Sequence, residues 1–235
     1  MQKTDKKLYT VTGTVAEAPG VSTLQLACAG RAPSYIPGQF ITVYLPELGT
    51  PEGKAYSISS APGEPLGITV SARGEFSRRL CALGPGDTFL ASAPSGYFYS
   101  ESATSTLVML AAGIGIAPFR SVMLDAAKKN TARPLLLFYS NRTIADTVFD
   151  GMLGKLAAAH QSVGVNRFIT REENLPVGVT RGRISAEAVL RAIGEAPDPE
   201  FFICGSISFV RDMWRGLKSA GISEDRLYTE AFFSH

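Results

Sequence analysis

The sequence predicts an antiparallel β-barrel followed by a parallel-sheet α/β domain, and three observations lead there. Up to about residue 100, apolar and polar residues alternate in the two-residue rhythm of strands. Beyond residue 105, uniformly apolar runs of strand length alternate with helical stretches. The segment ESATS, Glu101 to Ser105, separates the two regimes, so the expected domains are 1–102 and 103–235. A chain of 235 residues gives each of them enough length to bury a core.

In the first region the strands read KLYTVTGTVAEA, VSTLQLACA, QFITVYLP, AYSISS, LGITVSA and DTFLAS. Pro37-Gly38, Pro62-Gly63 and Gly84-Pro85-Gly86-Asp87 punctuate them as turns between antiparallel neighbours, which predicts a small closed barrel. The exception is FSRRLCAL, where Phe76, Leu80 and Leu83 fall at helical spacing and predict a short helix starting near Ser77. In the second region TLVMLAA, PLLLFYS, NRFIT and EFFICGS read as strands. PFRSVMLDAAKK, DTVFDGMLGKLAAAH, SAEAVLRAIGEA and SFVRDMWRGLKSAG read as the helices between them. Apolar strands separated by helices indicate a parallel sheet covered on both faces.

Composition narrows the function. A formal charge of +2, with both signs spread along the chain, creates no broad field for nucleic acid or membrane. Cys28, Cys81 and Cys204 are odd in number and form no CxxC pair, which fits a reducing, cytoplasmic setting. With only His160 and His235 beside them, ligands for a zinc site or an iron-sulfur cluster are lacking. The polar start MQKTDKK has no apolar stretch behind it, and the longest apolar run, Leu107 to Phe119, is broken by glycines. Neither an export signal nor a membrane span is expected, and the protein is expected to be a monomer.

The first chemical signal is LVMLAAGIGIAPFRS, a strand running into Gly113-Ile114-Gly115 and then into a helix with Pro118 in its first turn. Such a turn lets backbone amides approach a phosphate at a helix N-terminus. A plain tight turn is the alternative, because Ala117-Pro118 replaces the third glycine of the dinucleotide fingerprint. After the second parallel strand, where binders of the unphosphorylated dinucleotide place a carboxylate, stands Asn141-Arg142. Thr170-Arg171 after the third strand and Arg183 in TRGRIS add two further guanidinium groups. Together the three could clamp a 2′-phosphate by forked hydrogen bonds; singly, each is equally an ordinary solvated charge. In the first region GKAYSISS packs one aromatic ring among a lysine and three serines, too polar for a strand that only fills a core.

KAYS, GEFS, AAGIGIAPFRS, CGS and the terminal EAF follow one another in the order and approximate spacing of the ferredoxin-NADP reductase family, and the chain resembles that family over nearly its whole length. The resemblance implies an FAD-binding barrel followed by a nucleotide-binding α/β domain. It places Tyr56 on the flavin ring and Ser57 near the reactive N5, with Lys54 standing where the family has an arginine for the pyrophosphate and Ala55 between them. It gives Gly74, Glu75, Phe76 and Ser77 to the FAD pyrophosphate, with a structural cap as the other reading of Ser77. For NAD(P) it implies Ala112, Gly113, Ile114, Gly115 and Pro118 around the pyrophosphate, and Asn141, Arg142, Thr170, Arg171 and Arg183 around the adenosine ribose. Cys204 and Gly205 would meet the nicotinamide, Glu230 would flank it, and Phe232 would cover the flavin face, making Ser57, Cys204 and Glu230 the catalytic set. The bland alternatives are a core tyrosine, a small buried cysteine, a surface glutamate and a core phenylalanine. Ala111-Ala112 departs from the glycine-rich opening of many members and is expected to tighten the room around the pyrophosphate. The chain runs on only to His235, so a longer C-terminal lid is not expected.

The function implied is transfer of a hydride from NADPH to FAD, then of single electrons to a separate ferredoxin or flavodoxin. Some NADH-using relatives share the Thr-Arg-Glu and Gly-Arg-Ile elements, so NADH stays open as donor. The alternatives are an NADH-dependent oxygenase reductase, a flavin reductase, and a non-enzymatic flavin-bearing electron-transfer subunit. Lys54, Arg73, Arg78 and Arg79 cluster beside the flavin motif and could steer an acidic carrier, or simply be solvated.

Overall fold

The computed structural model describes residues 6–30, 32–100 and 102–232. Two compact units emerge: one runs to Tyr99 and takes in Ala117–Asp125, the other comprises Ser100–Ile116 and the chain from Ala126 onward. This differs from a single cut at residue 102 in two respects: the break falls after Tyr99, and Ala117–Asp125 joins the first unit. Ala117–Asp125 joins it because Arg120 and Ser121 hydrogen-bond to the Ser59 and Ser60 carbonyls, and the Phe119 ring lies 5.7 Å from that of Phe98. Glu101, which opens the expected ESATS boundary, lies outside the described residues.

The first unit contains β1 (Lys7–Ala18), β2 (Val21–Cys28), β3 (Phe40–Tyr44), β4 (Lys54–Ser57), β5 (Leu66–Ser71), α1 (Glu75–Cys81) and β6 (Thr88–Ala91). All six strands stand where the alternation predicts them, in the order β4-β3-β6-β1-β2-β5. Register shifts between Val11 and Gly13 and between Ala16 and Ala18 mark where β1, which pairs with both β2 and β6, departs from a regular ladder. An antiparallel bridge from Ile58 to Ile68 and the bond from Ser59 N to the Gly67 carbonyl, 2.8 Å, join the ends and close the barrel. Tyr9, Leu24, Ile41, Val43, Ile58, Ile68 and Val70 fill its core, none more than 1% exposed. Helix α1 adds Phe76 and Leu80 to that core, and Leu83 follows them, the three positions whose spacing predicts a helix. The helix begins at Glu75, ahead of Ser77, because Gly74 supplies the extended residue at its start.

The second unit is built on six strands in the order β10-β9-β8-β7-β11-β12, with every pairing parallel. They are β7 (Leu107–Ala112), β8 (Leu135–Asn141), β9 (Val163–Ile169), β10 (Val179–Arg181), β11 (Glu200–Ser206) and β12 (Leu227–Phe232). The helices are α2 (Ala117–Lys128), whose C-terminal end belongs here, α3 (Asp150–Ala159), α4 (Ala186–Ile193) and α5 (Ile207–Ser219). On one face Val189, Val210, Met213 and Leu217 pack on Val108, Leu110, Phe201 and Ile203. The chain starts at β7, moves outward through β8, β9 and β10, then returns to the other side of β7 with β11 and β12. At its amino end the sheet is fastened by Glu200, whose carboxylate accepts from Arg133 Nη2 at 2.9 Å, from the Ser105 hydroxyl at 2.5 Å and from the Ser100 hydroxyl. Among the described residues no helix is long and apolar enough to cross a membrane.

Candidate active site

Open parallel sheets bind ligands at the carboxyl ends of their strands, in the crevice where the strand order reverses. Here that point lies between β7 and β11. Strand β7 ends at Ala112, and Gly113 turns the chain with φ at 54° into a tight 3-10 turn, Gly113–Ile116, from which α2 starts at Ala117. Gly115 passes so close to β11 that an added β-carbon would sit 2.1 Å from the Cys204 carbonyl oxygen. Gly205 is confined less tightly, since a β-carbon there would meet that of Ala112 at 3.0 Å. Gly115 is therefore required by backbone approach, the feature that also lets a phosphate reach main-chain amides. Pro118 is buried in the first turn of α2. Ala111 is fully buried inside β7, paired with Cys204 and Tyr139, so the alanine pair is mainly strand and leaves the turn itself to Gly113-Ile114-Gly115.

Cys204 is fully buried and stands opposite Glu230 in the β11–β12 register. Burial, reinforced by the Glu230 charge, pushes its thiol well above the ordinary value. It is thus a neutral thiol near pH 7 and not a thiolate nucleophile. Phe232, two residues on, pairs with Ser206 at the end of β12.

The arginines follow consecutive strands. Arg142 comes directly after β8 and Arg171 shortly after β9, and the Arg171 amide donates to the Arg142 carbonyl at 2.8 Å. One residue earlier, Thr170 donates to the Asn141 carbonyl from both its amide, 3.1 Å, and its hydroxyl, 3.3 Å. Asn141 is buried at the carboxyl end of β8, and its Oδ1 has no hydrogen-bond partner among the described residues. Arg183 is exposed after β10, beyond Gly182, whose amide bonds to the Ile169 carbonyl. Asn141, Arg142, Thr170, Arg171 and Arg183 therefore share one edge of the sheet. Sequence reasoning missed Asp146, whose Oδ2 lies 3.3 Å from Arg142 Nε across a non-helical turn that no periodic pattern marks.

In the first unit the polar strand and the short helix meet at one ring. Phe76 is stacked on Tyr56 with centroids 6.3 Å apart, and Lys54 Nζ lies 5.4 Å from the Phe76 centroid. Lys54 and Tyr56 share a face of β4 by the strand period, while Ala55 is exposed and Ser57 buried. Burial, together with Cys81 nearby, pushes the Tyr56 phenol above its ordinary range, so it stays a neutral hydroxyl. Ser77 sits at the third helical position and not at the cap. Its Oγ accepts from the Arg73 amide at 2.9 Å and the Gly74 amide at 3.1 Å, and donates to the Gly74 carbonyl at 3.1 Å. The structural role of Ser77 is therefore realised, and the amides of Glu75, Phe76 and Ser77 itself are those a first turn leaves without intrahelical partners.

Residues 109–214 match the family model described as the oxidoreductase NAD-binding domain. The flavohemoprotein of Bordetella pertussis is 26% identical over 96% of this chain and 60% of its own length. The ferredoxin reductase component of 3-ketosteroid-9-alpha-monooxygenase from Mycolicibacterium smegmatis is 31% identical over 85% of this chain and 56% of its own. The chain thus spans little more than half the length of these curated relatives. Among solved structures, the flavohem-like FAD/NAD binding domain of nitric oxide dioxygenase from Vibrio cholerae superposes with a TM-score of 0.83 at 24% identity, covering 96% of this chain and 98% of that one. A ferredoxin NADP+ reductase from Neisseria gonorrhoeae with bound FAD and NADP gives 0.80 at 21% identity, covering 97% and 99%.

Proposed function

Residues 109–214 belong to the oxidoreductase NAD-binding domain family and the chain has the fold of the ferredoxin-NADP reductases, and from that premise we propose an FAD-dependent reductase that oxidises NADPH and serves a separate ferredoxin or flavodoxin. The observation that supports this most is the convergence of Gly113, Gly115, Cys204, Gly205 and Glu230 where the parallel sheet reverses its strand order.

The residues of the barrel fit a flavin dinucleotide. Lys54 places an ammonium over a ring in the first turn of α1, beside amides suited to a pyrophosphate, and Tyr56 adds a neutral aromatic surface. In this reading Lys54 and the amides from Glu75 to Ser77 hold the phosphates, with Gly74 setting the entry to the turn, Ala55 lets the chain approach, Tyr56 carries the ring, and Ser57 orients its N5 edge. FAD, when bound, takes electrons as a pair from the nicotinamide and releases them singly. The α/β unit binds the donor: Gly113-Ile114-Gly115 and Pro118 cradle the pyrophosphate, and Arg142, Arg171 and Arg183, steadied by Asn141 and Thr170, take the 2′-phosphate. Cys204, kept protonated, gives the nicotinamide an uncharged wall, and Glu230 flanks it.

A second reading, an NADH-dependent reductase component of an oxygenase system, is favoured by Asp146, which puts a carboxylate beside the arginine meant for the extra phosphate. Anaerobic addition of NADPH or NADH to the FAD-loaded protein, followed in the flavin absorption band, tests both. Bleaching by NADPH supports the first and preferential bleaching by NADH the second. An unchanged spectrum with both leaves a non-enzymatic electron-transfer subunit.

A further inference from the structure

The segment that leaves β4, Ser59 to Ala61, is gripped on two sides by polar groups. From α2, Arg120 Nη1 donates to the Ser59 carbonyl at 2.7 Å, and the fully buried Ser121 hydroxyl donates to the Ser60 carbonyl at 2.6 Å. From the other side the Tyr35 hydroxyl bonds to Ser60 Oγ at 2.7 Å and donates to the Ala61 carbonyl at 2.8 Å. Ser60 Oγ also accepts from the Gly67 amide at 2.9 Å. Ser59 Oγ accepts from the Thr69 hydroxyl at 2.7 Å, and Thr69 Oγ1 stands 2.9 Å from that of Thr23, which lies 2.7 Å from a Glu17 carboxylate oxygen.

Closing a barrel does not need this. The bridge from Ile58 to Ile68 and the bond from Ser59 N to Gly67 O already do so with main-chain groups. A guanidinium N–H donated to one main-chain carbonyl and a fully buried serine hydroxyl donated to the next hold two peptide planes at fixed angles. Those planes directly follow Tyr56 and Ser57, with only Ile58 between, and Ile58 is itself locked in the core.

We propose that Arg120 and Ser121 are positioning residues for the Tyr56–Ser57 pair, holding it in register through the Ser59 and Ser60 carbonyls. The inference rests on the flavin reading of the barrel. Its geometric content, that the two side chains fix the exit of β4, stands independently. Neither residue need touch the cofactor, and their effect falls on orientation, not affinity.

The test compares wild type with Ser121→Ala, Arg120→Met and Arg120→Lys, each loaded with FAD. Ser121→Ala and Arg120→Met are expected to retain FAD but alter its visible circular dichroism. They are also expected to lower the saturated rate of flavin reduction by about tenfold at nearly constant nucleotide KM. Arg120→Lys, which keeps a donor for the carbonyl, should recover most of both. Unchanged dichroism in Ser121→Ala and Arg120→Met, a loss confined to KM, or an Arg120→Lys variant as impaired as Arg120→Met would overturn the assignment. Should Arg120→Met fail to fold, Ser121→Ala alone decides. Should wild type itself refuse FAD, the flavin reading falls separately, and hydrogen exchange in the ligand-free protein takes over. Faster exchange across Ser57–Ala61 in Ser121→Ala then supports the clamp, and an identical rate overturns it.

Discussion

The backbone of Gly115 and the carbonyl of Cys204 lie in such close contact that a single added β-carbon would stand 2.1 Å from that oxygen and 2.8 Å from the Gly205 amide nitrogen. Neither atom can swing aside, because both belong to the β11 main chain, paired on its two sides with β7 and β12. Gly115→Ala must therefore push the turn off the strand, at the upper end of the roughly 1–3 kcal/mol typical of overpacking. Gly113 offers the control: its φ is 54° but open space surrounds its missing side chain, so alanine there costs only the left-handed backbone, about 1–2 kcal/mol. Denaturant midpoints and NADP+ titrations should show Gly115→Ala losing far more nucleotide affinity than Gly113→Ala. Equal losses would mean that the contact with β11 does not shape the nucleotide turn.

Nucleotide preference should respond to two opposite substitutions. Charge-assisted hydrogen bonds contribute about 1.5–3 kcal/mol each, so replacing Arg142 and Arg171 together by alanine should lower kcat/KM for NADPH at least tenfold and leave NADH within about threefold. Asp146→Asn should act the other way. Its pair with Arg142 is about half exposed on the arginine side, where such pairs contribute no more than about 1 kcal/mol, so the NADPH:NADH ratio should rise by a factor of about 5 or less. Steady-state kinetics with both nucleotides measures each ratio. An unaltered ratio in the double alanine variant would remove the phosphate clamp.

Stability should carry the signature of Glu200. Burial by itself raises the pKa of this carboxyl, but the Ser100 and Ser105 hydroxyls and the Arg133 charge outweigh it and hold it below the ordinary 4.5. The same burial draws the Arg133 pKa downward, yet an arginine remains protonated at any working pH. Because the folded pKa of Glu200 is the depressed one, its contribution is complete above about 4.5 and is lost as pH falls through the lower folded value. Glu200→Gln should cost about 3 kcal/mol at pH 7 by leaving Arg133 buried without its counter-charge. It should also flatten the acid limb of a plot of urea midpoint against pH, and an acid limb as steep as in wild type would assign that limb to other carboxylates.

What the sequence discloses about this fold depends on how much of each element faces a core. Strands β1 and β2 are legible because apolar inner positions alternate with polar outer ones, and β7, β8 and β11 because each carries a run of four or more apolar residues. Strands β10 and β12 pass unread. The first is three residues long and mostly exposed at the sheet edge, and the second alternates only between half-buried and exposed positions. Helix α3 starts at Asp150, not at Asp146, because Phe149 takes a φ of 65°, a backbone state that periodicity does not register. In the site, contiguous motifs are readable because chain neighbours stay neighbours. The Arg133–Glu200 pair joins residues 67 apart, and the bonds from Arg120 and Ser121 to the β4 exit span 61, so no local pattern announces them.

Lys54 decides the last prediction. Its ammonium lies over the Phe76 ring at 5.4 Å, where cation–π attraction holds it beside the first turn of α1. An ammonium meets a phosphate as a point charge, while a guanidinium meets it with two parallel hydrogen bonds. Lys54→Arg should therefore tighten FAD binding, and Lys54→Met should weaken it about tenfold, the equivalent of one charge-assisted hydrogen bond near 1.5 kcal/mol. Tyr56→Phe should leave affinity nearly unaltered, since the phenol is a neutral group held there by burial, while Tyr56→Ala removes the ring that would carry the flavin. Quenching of FAD fluorescence measures all four, and repeating the Lys54 pair at raised salt separates charge from contact. The gap between Lys54→Arg and Lys54→Met should narrow as salt increases. If Lys54→Met bound FAD as tightly as wild type at every ionic strength, the lysine would be a partner of Phe76 alone and the phosphates would lie elsewhere.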